Sequence, residues 1–235
     1  MPLAGALWPF LLNGLALLLV ALVPAFALSL IVDYTPTKAV LLVCCASTTI
    51  AGSLVRPQRS LTGETSSIGP AGRAVLLGAV SGLVMVSQTP IVDNLPIIFR
   101  LMVAVAILGF VVERATCLLA AVAGSERGAP LIAVAGLGLA GSAPIWLGPW
   151  AEYLGTYEQA SNAIIWLSPL TFLAVMADYD YLRNHWFYIY TPFGGLRYAY
   201  PGKVTYCTIY LLLGGLLWLA EHRAILAKAT NANAE

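Results

Sequence analysis

Residues 95–112 read LPIIFRLMVAVAILGFVV, eighteen positions with one charge, Arg100, before Glu113-Arg114 closes the run. A helix needs about 20 predominantly apolar residues to cross a hydrocarbon core, so this stretch predicts a membrane-spanning helix. The composition around it agrees. Hydrophobic residues are 60% of the 235 residues and charged residues 10%, where a soluble domain carries about 25% charged. Mean hydropathy is +0.84. Twelve basic and eleven acidic side chains cannot coat a soluble fold of this size. A formal net charge of +1 excludes the basic face of a nucleic-acid binder, so the lipid bilayer is the first partner expected.

Outward from residues 95–112, further apolar runs bounded by charge, Gly or Pro predict the other spans. The first is Trp8 to Val32, with Asn13 and Pro24 inside it and Asp33 at its exit, long enough to tilt. The second is Ala39 to Val55, entered at Lys38 and stopped by Arg56-Pro57-Gln58-Arg59. The third is Arg73 to Thr89, closed by Pro90. The fourth is Leu95 to Val112, which Ala115 to Gly124 can extend as a lip. The fifth is Pro130 to Trp146, rich in small residues, and the last is Val204 to Ala220. Met1 to Trp8 has no Lys or Arg, unlike the start of a secretory leader, so the first span is expected to remain in the mature chain.

Ala160 to Ala177 is about a span long and contains Asn162 and Ser168-Pro169. It can be a full crossing, and so a seventh helix, or a re-entrant pair broken at Pro169. Charge distribution chooses between them. With both termini and loop 56–73 cytoplasmic, the inside segments hold Arg56, Arg59, Arg73, Arg114, Arg127, Arg223 and Lys228, and the outside segments hold Lys38, Arg183, Arg197 and Lys203, as the positive-inside rule prefers. Asp33, Asp93, Glu152, Glu158, Asp178 and Asp180 then lie outside. This works only if 160–177 does not cross. The expected fold is all-α: a polytopic integral membrane helical bundle, one transmembrane domain over 1–235, with six spans plus one re-entrant or seventh helix. Loop 56–73 is cytoplasmic, and 178–203 is an external aromatic interfacial segment.

Gly78-x-x-x-Gly82, Gly136-x-x-x-Ala140 and Gly214-Gly215 let helices approach closely, within the chain or across a homodimer. Cys44, Cys45, Cys117 and Cys207 form no C-x-x-C pair, and the adjacent two read as small packing residues.

Asp178-Tyr179-Asp180 followed by His185 is where carboxylates and an imidazole gather, so a metal site or acid–base pair is considered there. The segment also holds Tyr179, Tyr181, Trp186, Phe187, Tyr188, Tyr190, Phe193, Tyr198 and Tyr200. Tyr and Trp concentrate at membrane–water interfaces, and with no third ligand evident an interfacial cap is the expected role. Arg100 is an intramembrane charge expected to be satisfied by Asp93 or by interfacial water. The loop stretch Thr62-Gly63-Glu64-Thr65-Ser66-Ser67 lacks phosphate-loop spacing. No nucleophile elbow, zinc helix or haem ladder occurs. No catalytic residue, cofactor or metal is therefore expected.

Six crossings with both ends cytoplasmic, a polar loop between spans two and three, and a short apolar re-entrant stretch before the last span resemble the type-2 ABC exporter permeases. The closest local match is Trp166-Leu167-Ser168-Pro169-Leu170, similar to the small-Pro-aliphatic stretch before their final helix. The resemblance implies that Arg59 to Gly72, with Glu64, forms the loop touching an ATPase. The chain would be a half-size subunit that dimerises, works with a separate ATP-binding protein and moves a lipid, polysaccharide, drug or peptide outward by alternating access. These permeases begin with a basic amphipathic helix, whereas Met1 to Leu7 is short and carries no basic side chain.

Two other readings stand beside it. One is a non-catalytic subunit of a larger membrane complex, docking through the aromatic segment around Trp186. The other is a membrane-embedded enzyme acting on a lipid with Asp178, Asp180 and His185 as its polar centre. No Asn-x-Ser/Thr sequon occurs, and a bacterial inner membrane is the expected location.

Overall fold

The structure, a computed structural model, describes residues 37–54, 69–88, 91–123, 128–153, 157–183 and 196–232. The expected first span, Arg59, Glu64, His185 and Trp186 lie outside the described residues. Among these residues the regular elements are all helical and no strand occurs. They are α1 (Thr37–Leu54), α2 (Pro70–Gln88), α3 (Ile91–Ala123), α4 (Ala129–Gly141), α5 (Ala143–Trp146), α6 (Gly148–Tyr153), α7 (Tyr157–Leu167), α8 (Pro169–Met176) and α9 (Lys203–Ala232). The chain divides into two compact units, Met1–Glu113 and Arg114–Glu235, with the boundary inside α3.

Two helices are long and apolar enough to cross a membrane, over Asn94–Ala123 and Lys203–Ala227. The pair Glu158–Leu167 and Pro169–Met176, bent by 81°, makes a third if it is one span. These are the lengths and compositions of a membrane protein. Among the described residues six crossings are not supported, and the expected first span lies outside them. The apolar helices over Leu41–Ser53, Ala71–Ser87 and Ala129–Gly141 run only about 20, 26 and 20 Å at 1.5 Å per residue, short of a core about 30 Å thick. The expected fifth span breaks at Ser142, whose N–H turns back to Gly138 O at 2.9 Å. Pro144, in the first turn of α5, has no N–H to offer the Ala140 carbonyl.

In the first unit α1 packs on α2 around Leu41, Cys44, Cys45, Val84 and Met85, all buried. The cysteines are free and serve packing, with Cys45 Sγ 3.6 Å from Met85 Sδ. Hydroxyls along α1 return to their own helix: Thr48 donates to Cys44 O at 2.6 Å, Thr49 to Cys45 O at 2.8 Å and Ser53 to Thr49 O at 2.7 Å. No polar atom of these side chains then needs water. Gly78 lets α2 approach α3, because a Cβ there would lie 2.6 Å from Met102 O and 3.1 Å from the Ala106 Cβ.

In the second unit α8 packs against α4, α7 and α9. Its Thr171, Phe172, Leu173 and Ala174 are buried. Gly136 of α4, by contrast, has nothing within 4 Å of an added Cβ. Gly78→Ala is therefore expected to lower stability by about 1–3 kcal/mol, since overpacking against backbone cannot relax cheaply. Gly136→Ala should be neutral or slightly stabilising through helix propensity. Resistance to denaturing detergent compares the two, and equal losses would contradict the packing described.

Candidate functional site

The bend between α7 and α8 is written in Ile165-Trp166-Leu167-Ser168-Pro169-Leu170-Thr171. Pro169 has no N–H, so the Ile165 carbonyl loses its i+4 donor and accepts the Ser168 N–H at 3.2 Å instead. Ser168, extended at φ −78 and ψ 117, caps α8, and its Oγ accepts the Thr171 N–H at 3.4 Å. That leaves the Leu167 carbonyl without its own i+4 amide. Both carbonyls are met from α9. The Tyr206 hydroxyl donates to Ile165 O at 2.9 Å and the Tyr210 hydroxyl to Leu167 O at 3.0 Å. Spacing of four residues puts both phenols on one helix face.

Phe172 fills the space between, with ring centroids 5.5 Å from Tyr206 and 4.8 Å from Tyr210. Ser168 Oγ donates to Gly141 O at 3.1 Å, and Thr171 Oγ1 shares a 2.9 Å hydrogen bond with the Tyr181 hydroxyl. Ser168, Thr171 and Tyr206 have no exposed surface. This is a dry polar cluster around a helix break, the setting in which irregular backbone is tolerated at membrane depth.

Beyond α8 the chain turns into the aromatic segment. Tyr179 N bonds Ala174 O at 2.9 Å and Asp178 N bonds Val175 O at 3.2 Å, the 6→1 and 5→2 pair of a Schellman cap. Asp178 takes the left-handed position with φ 52, where glycine is usual, and its carboxylate pairs with Lys203 at 2.5 Å. Asp180 accepts the Tyr200 hydroxyl at 2.5 Å and the Arg183 N–H at 3.2 Å, and its second oxygen lies 3.3 Å from Arg183 Nε. The Arg183 guanidinium stands 6.0 Å over the Tyr198 ring. Ala199 between the two tyrosines is held by α7, its N–H on Asn162 Oδ1 at 2.8 Å and its carbonyl on Trp166 Nε1 at 3.4 Å.

Burial, then the bond to Asp180, pushes the Tyr200 phenol well up from its ordinary value of 10.0. Burial lifts Tyr181 to about 12, and burial with the nearby Asp180 charge raises Tyr198. All three remain neutral at physiological pH.

Two further charge pairs link helices. Within the first unit Arg73 of α2 meets Glu113 of α3 at 2.5 Å, and within the second Arg114 of α3 meets Glu221 of α9 at 2.9 Å. The Arg114 side chain is 9% exposed and that of Glu221 15%, so both charges are largely out of water.

Of the residues singled out in the sequence, Asp178 and Asp180 come to the same cap, each engaged by a cation. Arg100 is half-buried, with Nε on Pro96 O of its own helix at 3.2 Å. The expected partner, the Asp93 side chain, lies outside what is described. Among the described residues no three His, Cys, Asp or Glu side chains gather to hold a metal. Sequence reading placed the break at Ser168-Pro169 but passed over Tyr206 and Tyr210, whose signal was two tyrosines at i, i+4 inside a span. It counted Arg73 and Arg114 only as inside charges and passed over Glu221. No protein-family model, no curated protein and no solved structure matches the chain.

Two predictions follow from these contacts. Tyr200→Phe is expected to cost about 1–2 kcal/mol at pH 7, the scale of a hydrogen bond to a charged acceptor. The fold holds these phenols neutral, so their contribution is complete below the ordinary phenol value and declines as pH rises above about 10. The variant should show a shallower alkaline decline than the parent, and an identical pH profile would exclude Tyr200 from the clasp. Glu221→Gln leaves the Arg114 charge uncompensated and is expected to cost about 3 kcal/mol, against about 1 kcal/mol for Arg73→Gln at the more exposed pair. Denaturing-detergent titration measures both, and the reverse order would refute the difference in burial.

Proposed function

We propose that the chain is the membrane subunit of an exporter of the type-2 ABC permease class. It would be a half-size permease that pairs with a second copy and is driven by a separate ATP-binding protein, in a bacterial inner membrane. The observation that carries this reading is the apolar pair bent by 81° at Ser168-Pro169, directly ahead of the final long apolar helix Lys203–Ala227. The bent pair corresponds to the re-entrant element on which the resemblance rests, and its break is satisfied within the protein rather than by water. In this topology Trp8 to Val32, α1, α2 and the α4–α5 run also cross, the shorter ones through a thinned or protein-filled bilayer. The ends of α2, α3 and α9 that carry Arg73, Glu113, Arg114 and Glu221 face the cytoplasm, and the aromatic cap faces outward. The transported class is one that a permease without soluble domains handles from the bilayer: a lipid or lipid-linked glycan, a hydrophobic drug or a peptide.

Purification of the full chain from its native membrane, followed by identification of what accompanies it, tests the reading. An ATP-binding protein in stoichiometric amount is expected. A stable assembly of other membrane subunits without an ATPase would replace the exporter with an accessory role. In parallel, with the four native cysteines replaced, Asn184→Cys should react with an impermeant external thiol reagent and Thr62→Cys should not. The opposite pattern would remove the permease topology.

A further inference from the structure

The bend has two hydrogen-bonding solutions. Ile165 O lacks its i+4 donor in either, because residue 169 is proline; in the bent pair it accepts the Ser168 N–H at 3.2 Å and the Tyr206 hydroxyl at 2.9 Å. Leu167 O differs, because its helical partner, the Thr171 N–H, exists. In the bent pair that N–H is drawn to Ser168 Oγ at 3.4 Å, beyond the usual N–H···O range of about 2.7–3.2 Å, and Tyr210 fills the vacated carbonyl at 3.0 Å. Were the Thr171 N–H to move to Leu167 O, the helix would run through the break with only a proline kink. The Tyr210 hydroxyl would then be released, and Ser168 Oγ would keep only the bond it donates to Gly141 O. Joined, residues 157–176 make a helix of about 30 Å, the thickness of a hydrocarbon core.

We propose that this is a two-state hinge. Tyr206 is its pivot, bonded in both states. Tyr210 is its latch, needed only in the bent state, and Ser168 is the competing acceptor that draws the Thr171 N–H away. Discrete alternatives of this kind are what allow a small displacement to be amplified. The input is α9 itself: Tyr210 and Glu221 lie on one continuous helix, and Glu221 is gripped by Arg114 at 2.9 Å. A shift at that end reaches the latch through rigid backbone. The role of the hinge as the moving part of alternating access rests on the exporter reading, whereas the two states do not.

The test is a distance measurement between spin labels at Gln159→Cys and Val175→Cys. It uses the full chain with its four native cysteines replaced, in lipid nanodiscs without ATPase or substrate. The parent should give the bent distance. Tyr210→Phe and Ser168→Ala should each add a population longer by about 5 Å, from straightening helices of 1.5 Å rise. Tyr206→Phe should keep the short distance and lower the melting temperature instead. An unchanged distribution in either folded latch variant, or lengthening in Tyr206→Phe like that in Tyr210→Phe, would overturn the hinge. A hinge that behaves as stated while no ATPase accompanies the chain leaves the hinge standing and the exporter reading fallen.

Discussion

A proline between two apolar helices is the constraint on which the second unit depends. Pro169 removes the i+4 N–H from Ile165 O, which then accepts the Ser168 N–H at 3.2 Å and a second bond from outside its helix; an unmet buried acceptor costs about 1–3 kcal/mol in a protein interior. The Tyr206 hydroxyl is the answer, and it dictates much else. α9 must lie against the end of α7, and the next phenol on that face, Tyr210, then reaches Leu167 O. Phe172 is held against both rings. Ser168, turned aside to cap α8, reaches Gly141 O at the end of α4. One missing N–H thus places four helices.

The charged ends supply a second constraint. Largely out of water, Arg114 and Glu221 are tolerated because they neutralise each other. α9 is fixed near its start by two phenols and near its exit by this carboxylate, and between them it touches little. Only 17% of its apolar window is buried, and Leu212, Leu216 and Trp218 are exposed. A lipid environment removes the cost of such exposure, and a helix anchored at two points and free between them is suited to transmit displacement rather than to build a core.

Much of this was legible in the sequence. Residues 95–112, with Arg100 as the one charge, and 204–220, with none, are long apolar runs that lie within α3 and α9, and Ser168-Pro169 marks a break by the loss of an N–H. The further expected spans came from reading hydropathy without helix continuity: the fifth holds Ser142 and Pro144, and its helix stops at Gly141. The partners of the break were not legible. A phenol bonded to a backbone carbonyl 41 residues away has no periodicity and no charge, and inside a span tyrosine reads as one more apolar residue. Glu221 was passed over, since nothing local says that Arg114 is opposite.

The acidic pair that first drew chemical interest is engaged by cations. Asp180 Oδ1 accepts from the Tyr200 hydroxyl and the Arg183 backbone N–H, and Oδ2 lies 3.3 Å from Arg183 Nε. Asp178 occupies a left-handed position that costs a non-glycine residue about 1 kcal/mol or more. Glycine would fit there without strain but would carry no carboxylate. Asp178 keeps that carboxylate, and it holds Lys203, the first residue of α9. The bent pair is therefore tied to α9 at its break through Tyr206 and Tyr210 and at its far end through Asp178. A displacement of α9 acts on both ends of α8 together, so α8 follows α9 as a body while the strain concentrates at Ser168, the residue with two hydrogen-bonding solutions on either side of it.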